Sequence, residues 1–180
     1  RTDDAWIYGL PEMSPRQREI IRNSRFVSNP GCYPTGFILS IKPLVEKGIL
    51  PKDYPVTVHA LSGYSGGGKN LINAYEHHGL ADSSVLSSRP YAFSLKHKHV
   101  PEMKKHTGLF RSPVFTPSVG NFYNGMLVNI PLFTDLFKTK VTVDRIRKIL
   151  SDTYGDERFV RVMPSSAEDY LENGFLSPLA

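Results

Sequence analysis

The stretch Ser28-Asn29-Pro30-Gly31-Cys32-Tyr33-Pro34-Thr35-Gly36 constrains the chain more than any other part of it. Before it, Arg25-Phe26-Val27-Ser28 reads as a short strand. Pro30-Gly31 then demands a tight turn, and Pro34, with no N–H to donate, sits where a helix begins. Phe37, Ile38, Ile41, Leu44 and Val45 follow at helical spacing, which predicts a helix that bends at Pro43 and ends near Gly48. A strand, a turn and a helix in immediate succession hold the Cys32 thiol at the positive end of that helix. The outward N–H groups and the macrodipole there favour a thiolate, and they can stabilise an oxyanion when the thiolate attacks a carbonyl. Cys32 is therefore read as a nucleophile. The alternative for a lone cysteine is a small buried hydrophobe.

The rest of the chain alternates less regularly. Ser14 is expected to cap a helix that opens at Pro15 and runs to about Asn23. Val56–Leu61 reads as a strand, Leu71–His78 as a short helix, Tyr91–His99 as a strand and Pro101–His106 as the start of another helix. Val114–Thr116 and Met126–Leu132 are expected strands flanking a loop from Pro117 to Gly125. Thr142–Leu150 is an amphipathic helix and Phe159–Met163 a last strand. Strands and helices mixed without a steady β-α-β rhythm predict an α+β fold, a mixed or antiparallel sheet with helices packed on one face.

Composition excludes several classes. At 180 residues and 40% hydrophobic, the chain can bury one sizeable core. A single cysteine rules out an internal disulfide framework and suits a reducing compartment, so a cytoplasmic protein is expected. No stretch approaches the ~20 apolar residues of a membrane span, and no apolar run follows Arg1-Thr2-Asp3-Asp4 as in a secretory signal. Membrane partners are not expected. The net charge of +5 suits small anionic substrates or nucleic acid. The basic residues are scattered, with no tract longer than Lys104-Lys105, so a nucleic-acid partner is not expected and an ordinary basic surface remains the plain alternative.

A nucleophilic thiol needs a proton carrier. His97-Lys98-His99 puts two imidazoles on one face of an extended segment, next to a helix start. His77 and His78 read as surface residues, His59 as part of a strand, and His106 as lying on a solvated helix face. A metal site from His97, His99, Glu102 and His106 matches no standard spacing, and no metal is expected. Gly63-Tyr64-Ser65-Gly66-Gly67-Gly68-Lys69-Asn70 nearly fits a phosphate loop, but Asn70 stands where a magnesium-binding Ser or Thr belongs. A glycine-rich turn that lets a ligand approach the backbone is the better reading, with a purely structural turn as the other.

At these residues the chain resembles the N-acetyl-gamma-glutamyl-phosphate reductases of the semialdehyde dehydrogenase family. Ser28 to Gly36 matches their active-site signature, with Gly31 where the aspartate-semialdehyde dehydrogenases carry Asn. Tyr8-Gly9-Leu10-Pro11-Glu12, Ser62 to Lys69 and His97-Lys98-His99-Val100-Pro101-Glu102-Met103 agree in order and spacing. Tyr64 with Gly120-Asn121-Phe122-Tyr123 is similar to the shorter of the family's two sequence types, and the resemblance spans about Trp6 to Met163.

The resemblance implies a two-domain enzyme. An N-terminal Rossmann domain would bind NADP, and a catalytic and dimerisation domain like that of glyceraldehyde-3-phosphate dehydrogenase would carry the nucleophile. No G-x-G-x-x-G is present, so residues 1–25 are expected to be the tail of, or linker from, a missing Rossmann domain. Residues 26–180 would be the catalytic domain, cut short at its C-terminus and inactive as a fragment. The implied reaction is NADPH-dependent reduction of N-acetyl-glutamyl 5-phosphate to N-acetyl-glutamate 5-semialdehyde, with phosphate release, in arginine biosynthesis. By resemblance Cys32 forms the thioester and His99, with His97 second, moves the proton. Ser62, Gly63, Ser65 and Gly66 would line the nicotinamide end of the cofactor, and Asn29 and Lys69 the substrate's anionic groups, although a solvated Lys69 is equally open. A homodimer or homotetramer is implied. The rival readings are a Cys-His acyltransferase or hydrolase without nicotinamide, and a structural dimerisation module.

Overall fold

The computed structural model describes residues 5–77 and 88–163. Strand β1 (Ile7–Tyr8) pairs in parallel with β2 (Val27–Ser28), and helix α1 (Pro15–Arg22) connects them. As the sequence predicts, Pro15 opens α1 and the Ser14 hydroxyl accepts from the Gln17 N–H at 3.0 Å. The turn after β2 leads directly into α2 (Cys32–Glu46). There follow β3 (Thr57–Gly63), α3 (Lys69–His77), β4 (Arg89–Pro90), α4 (Val100–Thr107), β5 (Val114–Gly120), β6 (Met126–Asn129) and α5 (Val143–Tyr154).

The main sheet has the order β4-β5-β3-β6, with β3 and β5 parallel and the two outer strands antiparallel to their neighbours. This is the expected α+β arrangement with a mixed sheet. Alternation along β3 sends Val58, Ala60 and Ser62 to the covered face, and along β5 it sends Phe115, Pro117 and Val119 the same way. Helices α2 and α4 pack on each other over that face. Phe37, Ile41 and Leu44 of α2 meet Val58, Met103 and Phe115 there, each no more than 2% exposed. The opposite face carries His59, Thr116, Val114 and Leu127, all exposed.

Pro43 lies inside α2, where its missing N–H leaves the Leu39 carbonyl without its intrahelical donor. The Tyr154 hydroxyl, at the end of α5, donates to that carbonyl at 2.8 Å. Burial, with the nearby carboxylates adding to it, holds the Tyr154 hydroxyl protonated well above the usual tyrosine range. The proline's lost bond is thus replaced from a distant helix.

Four expectations are corrected. The helix after the signature starts at Cys32 rather than at Pro34, which puts the thiol on its first residue. Strand β5 does not stop at Thr116 but continues through Pro117 to Gly120. The Pro117 carbonyl accepts from the Tyr91 N–H at 3.0 Å, so its missing donor faces the same side, where β4 is only two residues long. Finally, neither Tyr91–His99 nor Phe159–Met163 is a strand. Ala92 and Leu95 adopt left-handed φ values of 58° and 57°, which turn the first segment on itself instead of extending it.

Candidate active site

Cys32 is the first residue of α2, and Gly31, with φ −65° and ψ 147°, is its N-cap. The N–H groups of the first helical turn have no intrahelical acceptor, and Pro34 contributes none. Those of Cys32 and Tyr33 therefore point away from the helix, beside an exposed thiol. Thr35 closes the turn with both its N–H, at 3.1 Å, and its hydroxyl, at 2.9 Å, on the Gly31 carbonyl. The buried-hydrophobe alternative for Cys32 does not fit this exposure.

His99 is the N-cap of α4 and is buried, and its ring lies against Gly31. A Cβ built on Gly31 would fall 2.7 Å from both Cδ2 and Nε2 of that imidazole. Only a residue without a side chain lets the ring approach the backbone this closely. His97 sits beside it, with ring centroids 4.6 Å apart, and its Nδ1 accepts from the His99 N–H at 3.2 Å. Desolvation, and then the charge of Lys98, push the His97 imidazole below its ordinary range, so it is neutral at pH 7. The two histidines meet the site through turns and a helix cap, not along the extended segment the sequence suggests.

Together these residues line a cavity of about 900 Å³. Ser62, Gly63, Ser65 and Gly66 form one wall, and His97, His99 and Cys32 another. Tyr33 ties the two walls together. Its hydroxyl donates to Ser62 Oγ at 2.8 Å and accepts from the Tyr91 hydroxyl at 3.1 Å. Burial raises the Tyr91 hydroxyl well above its usual range, with Tyr33 and the charge of Cys32 adding to it, so it stays a donor at neutral pH. Arg89 and Lys98 are the strongly basic groups among the lining residues, and no carboxylate is among the described residues that line the cavity.

The glycine-rich turn divides its labour. Gly63 carries a true close approach: a Cβ there would lie 2.6 Å from the Tyr123 carbonyl oxygen. The N–H groups of Gly63, Tyr64 and Ser65 are spent on the carbonyls of Gly125, Phe122 and Tyr123. These three are unavailable to cradle a phosphate. Gly66 is different, since its nearest neighbour is Ser62 Oγ at 3.9 Å, and it leaves open space along the cavity wall.

Several expected positions fall elsewhere. Asn29 and Lys69 are exposed and do not line this cavity; Lys69 follows the left-handed Gly68 and starts α3 beyond the turn. Glu102, in the first turn of α4, accepts from the Gly31 N–H and from the Tyr8 hydroxyl. His106 is not on a solvated face, because it stacks on Tyr8 at 3.7 Å and burial lowers its basicity. His59 lies in β3 as expected, sharing a 2.8 Å hydrogen bond with Thr116. His78 lies outside the described residues, and of His77 only its place at the end of α3 is described. Among the described residues no three His, Cys, Asp or Glu side chains come together to hold a metal ion. Tyr33, Arg89, Tyr91 and Lys98 belong to the site and were not singled out by the sequence. Lys98 stands between the two histidines, a signal available in retrospect; Arg89 has none, because only sheet pairing brings it there.

An exposed thiol on a helix N-terminus thus shares one cavity with two imidazoles and a glycine-lined wall. The model for the semialdehyde dehydrogenase dimerisation domain matches residues 32–173, and the chain belongs to that family. Its relatives carry a more particular name. It is 45% identical over 177 residues to N-acetyl-gamma-glutamyl-phosphate reductase 2 of Nostoc sp., covering 97% of this chain and 55% of that protein. It is 49% identical over 163 residues to N-acetyl-gamma-glutamyl-phosphate reductase of Sinorhizobium fredii, covering 91% of this chain and 53% of the relative. The chain spans about half the length of the curated relatives it matches. Among solved structures, aspartate semialdehyde dehydrogenase from Francisella tularensis shares the fold, with a TM-score of 0.64, 14% identity, and coverage of 94% of this chain and 57% of that one. No helix among the described residues is long and apolar enough to cross a membrane.

Proposed function

We propose that this chain is the catalytic half of an N-acetyl-gamma-glutamyl-phosphate reductase, reducing N-acetyl-glutamyl 5-phosphate to the 5-semialdehyde in arginine biosynthesis. The observation that carries the reading is Cys32 on the first turn of α2 with the His99 ring packed on the residue before it. The Cys32 thiolate attacks the acyl carbon, the outward N–H groups of α2 hold the developing oxyanion, and the carbon–oxygen bond to phosphate breaks. A thioester on Cys32 remains. NADPH, when bound, supplies the hydride that reduces this thioester. The resulting oxyanion re-forms the carbonyl and breaks the carbon–sulfur bond, His99 gives its proton to the departing sulfur, and the aldehyde leaves with Cys32 restored as thiol.

The residues present fit the cofactor at one point, the open wall at Gly66, where a flat ring can approach the backbone. Ser62, Gly63, Ser65 and Gly66 would hold the nicotinamide end there. Arg89 and Lys98, with no carboxylate among the described lining residues, suit a substrate with both a carboxylate and a phosphate. In this reading residues 1–25 lead from a nucleotide-binding domain, and residues 26–180 form the catalytic and dimerisation domain. The family's dimerisation role supports a homo-oligomer built on the open sheet face with Val114 and Leu127, the latter 62% exposed. A single thiol suits the cytoplasm.

The test uses the full-length protein. N-acetyl-glutamate 5-semialdehyde and NADP should turn over to NADPH only when phosphate is added, because phosphate must cleave the Cys32 thioester; without it about one NADPH forms per site. Continued turnover that ignores phosphate, or no NADPH at all, would overturn the reading. In the same assay His99→Asn should lower kcat by about 10²- to 10⁴-fold, the range of a lost general acid–base. His97→Asn should cost about 10-fold, as a neutral neighbour that orients rather than transfers. A larger loss at His97 would reverse the two roles.

A further inference from the structure

The carboxylate of Glu102 takes no part in the chemistry proposed above, yet it lies where three elements of the site converge. One of its oxygens, Oε1, accepts from the Gly31 N–H at 2.7 Å and from the Tyr8 hydroxyl at 2.7 Å. Gly31 caps the helix that begins with Cys32, Tyr8 ends β1, and Glu102 itself is in the first turn of α4, which His99 caps. Tyr8 is in turn fixed by stacking on His106, one turn further along α4. Burial and the hydrogen bond to Glu102 keep its hydroxyl protonated far above the usual range, so it remains a donor.

We infer that Glu102 is a positioning residue of the catalytic site, which fixes the Gly31 peptide and with it the bearing of Cys32 toward His99. The geometry gives the reason. Cys32 starts α2 and His99 caps α4, two helices that contact each other and share one apolar cluster. The apolar contacts are non-directional. A short hydrogen bond donated by the backbone N–H immediately before the nucleophile to a carboxylate oxygen is directional and about twice as strong as one between neutral groups. It sets the distance between the two helix starts, while the missing side chain of Gly31 lets the imidazole close the remaining gap.

The proposal rests on the reductase reading for its kinetic readout, and a second readout keeps the two separable. In the full-length protein, Glu102→Ala should lower kcat about 10²-fold while changing KM less than about 3-fold, the cost of a misplaced reactant. Glu102→Gln keeps an acceptor oxygen for both donors and should retain kcat within about 5-fold. Tyr8→Phe, which loosens the carboxylate without removing it, should fall between the two.

Cys32 alkylation by iodoacetamide, followed without cofactor or substrate, supplies the other measurement. Removing a nearby negative charge would by itself speed alkylation in both Glu102 variants. Loss of position should slow it in Glu102→Ala alone, by at least about 3-fold. Equal damage in Ala and Gln would overturn the inference in favour of a charge or proton-transfer role. Wild-type kcat and alkylation in Glu102→Ala would overturn it in favour of mere space filling. If the unmodified protein shows no reductase activity, the reductase reading fails while the alkylation comparison still decides the role of Glu102.

Discussion

Cys32→Ser in the full-length protein should abolish detectable acyl-enzyme and lower kcat at least ~10³-fold, the loss expected when a nucleophile is removed from a working constellation. Serine is nearly isosteric, so the fold should survive. The difference lies in the atom: a hydroxyl is not ionised near neutral pH even at a helix N-terminus, whereas a thiol readily is. The Cys32 side chain is exposed, so its replacement leaves no buried cavity and should leave Tm unchanged. Intact-mass analysis after mixing with the semialdehyde and NADP should show the covalent adduct in the unmodified protein and not in the variant. Turnover within ~10-fold of normal would remove Cys32 from the chemistry.

Gly31→Ala should be nearly as damaging to turnover, with kcat falling about 10²-fold, although alanine suits the backbone there. Residue 31 has φ −65° and ψ 147°, a region every amino acid adopts, so conformational freedom is not the reason for glycine. The reason is contact. The added methyl would meet the His99 ring at 2.7 Å and Pro34 Cγ at 2.9 Å. Pro34 is rigid and buried within α2, so the imidazole must give way. Displacing it moves the proton carrier from the nucleophile. Because both changes act on one ring, the pair Gly31→Ala with His99→Asn should cost little more than His99→Asn alone. A variant with full kcat, or losses that simply add, would show that His99 does not work from this place.

Much of the framework can be read directly along the chain. Ser14 with Pro15 marks the start of α1, and Thr142 marks that of α5, where its hydroxyl accepts from the Arg145 N–H. The apolar spacing of Phe37, Ile41 and Leu44 identifies the face of α2 that becomes the core. The failures are of one kind. Tyr91–His99 has the composition of a strand, but Ala92 and Leu95 turn left-handed, and pairing to β5 lasts only through Arg89 and Pro90. Pro117 looks like the end of a strand, and it is tolerated because its N–H side faces the short neighbour β4.

The sequence by itself determined that a thiol would stand at the start of a helix. Proline and glycine fix φ and remove donors within a residue or two, and no distant contact is needed for that. Tertiary structure alone decided that the His99 ring would pack on Gly31, why residue 31 has no side chain, and where Glu102 spends its carboxylate. Those outcomes depend on how α2 and α4 pack across the sheet. The partners in such packing are far apart in the chain and are selected by shape and hydrogen-bond geometry, which local residue preferences do not encode.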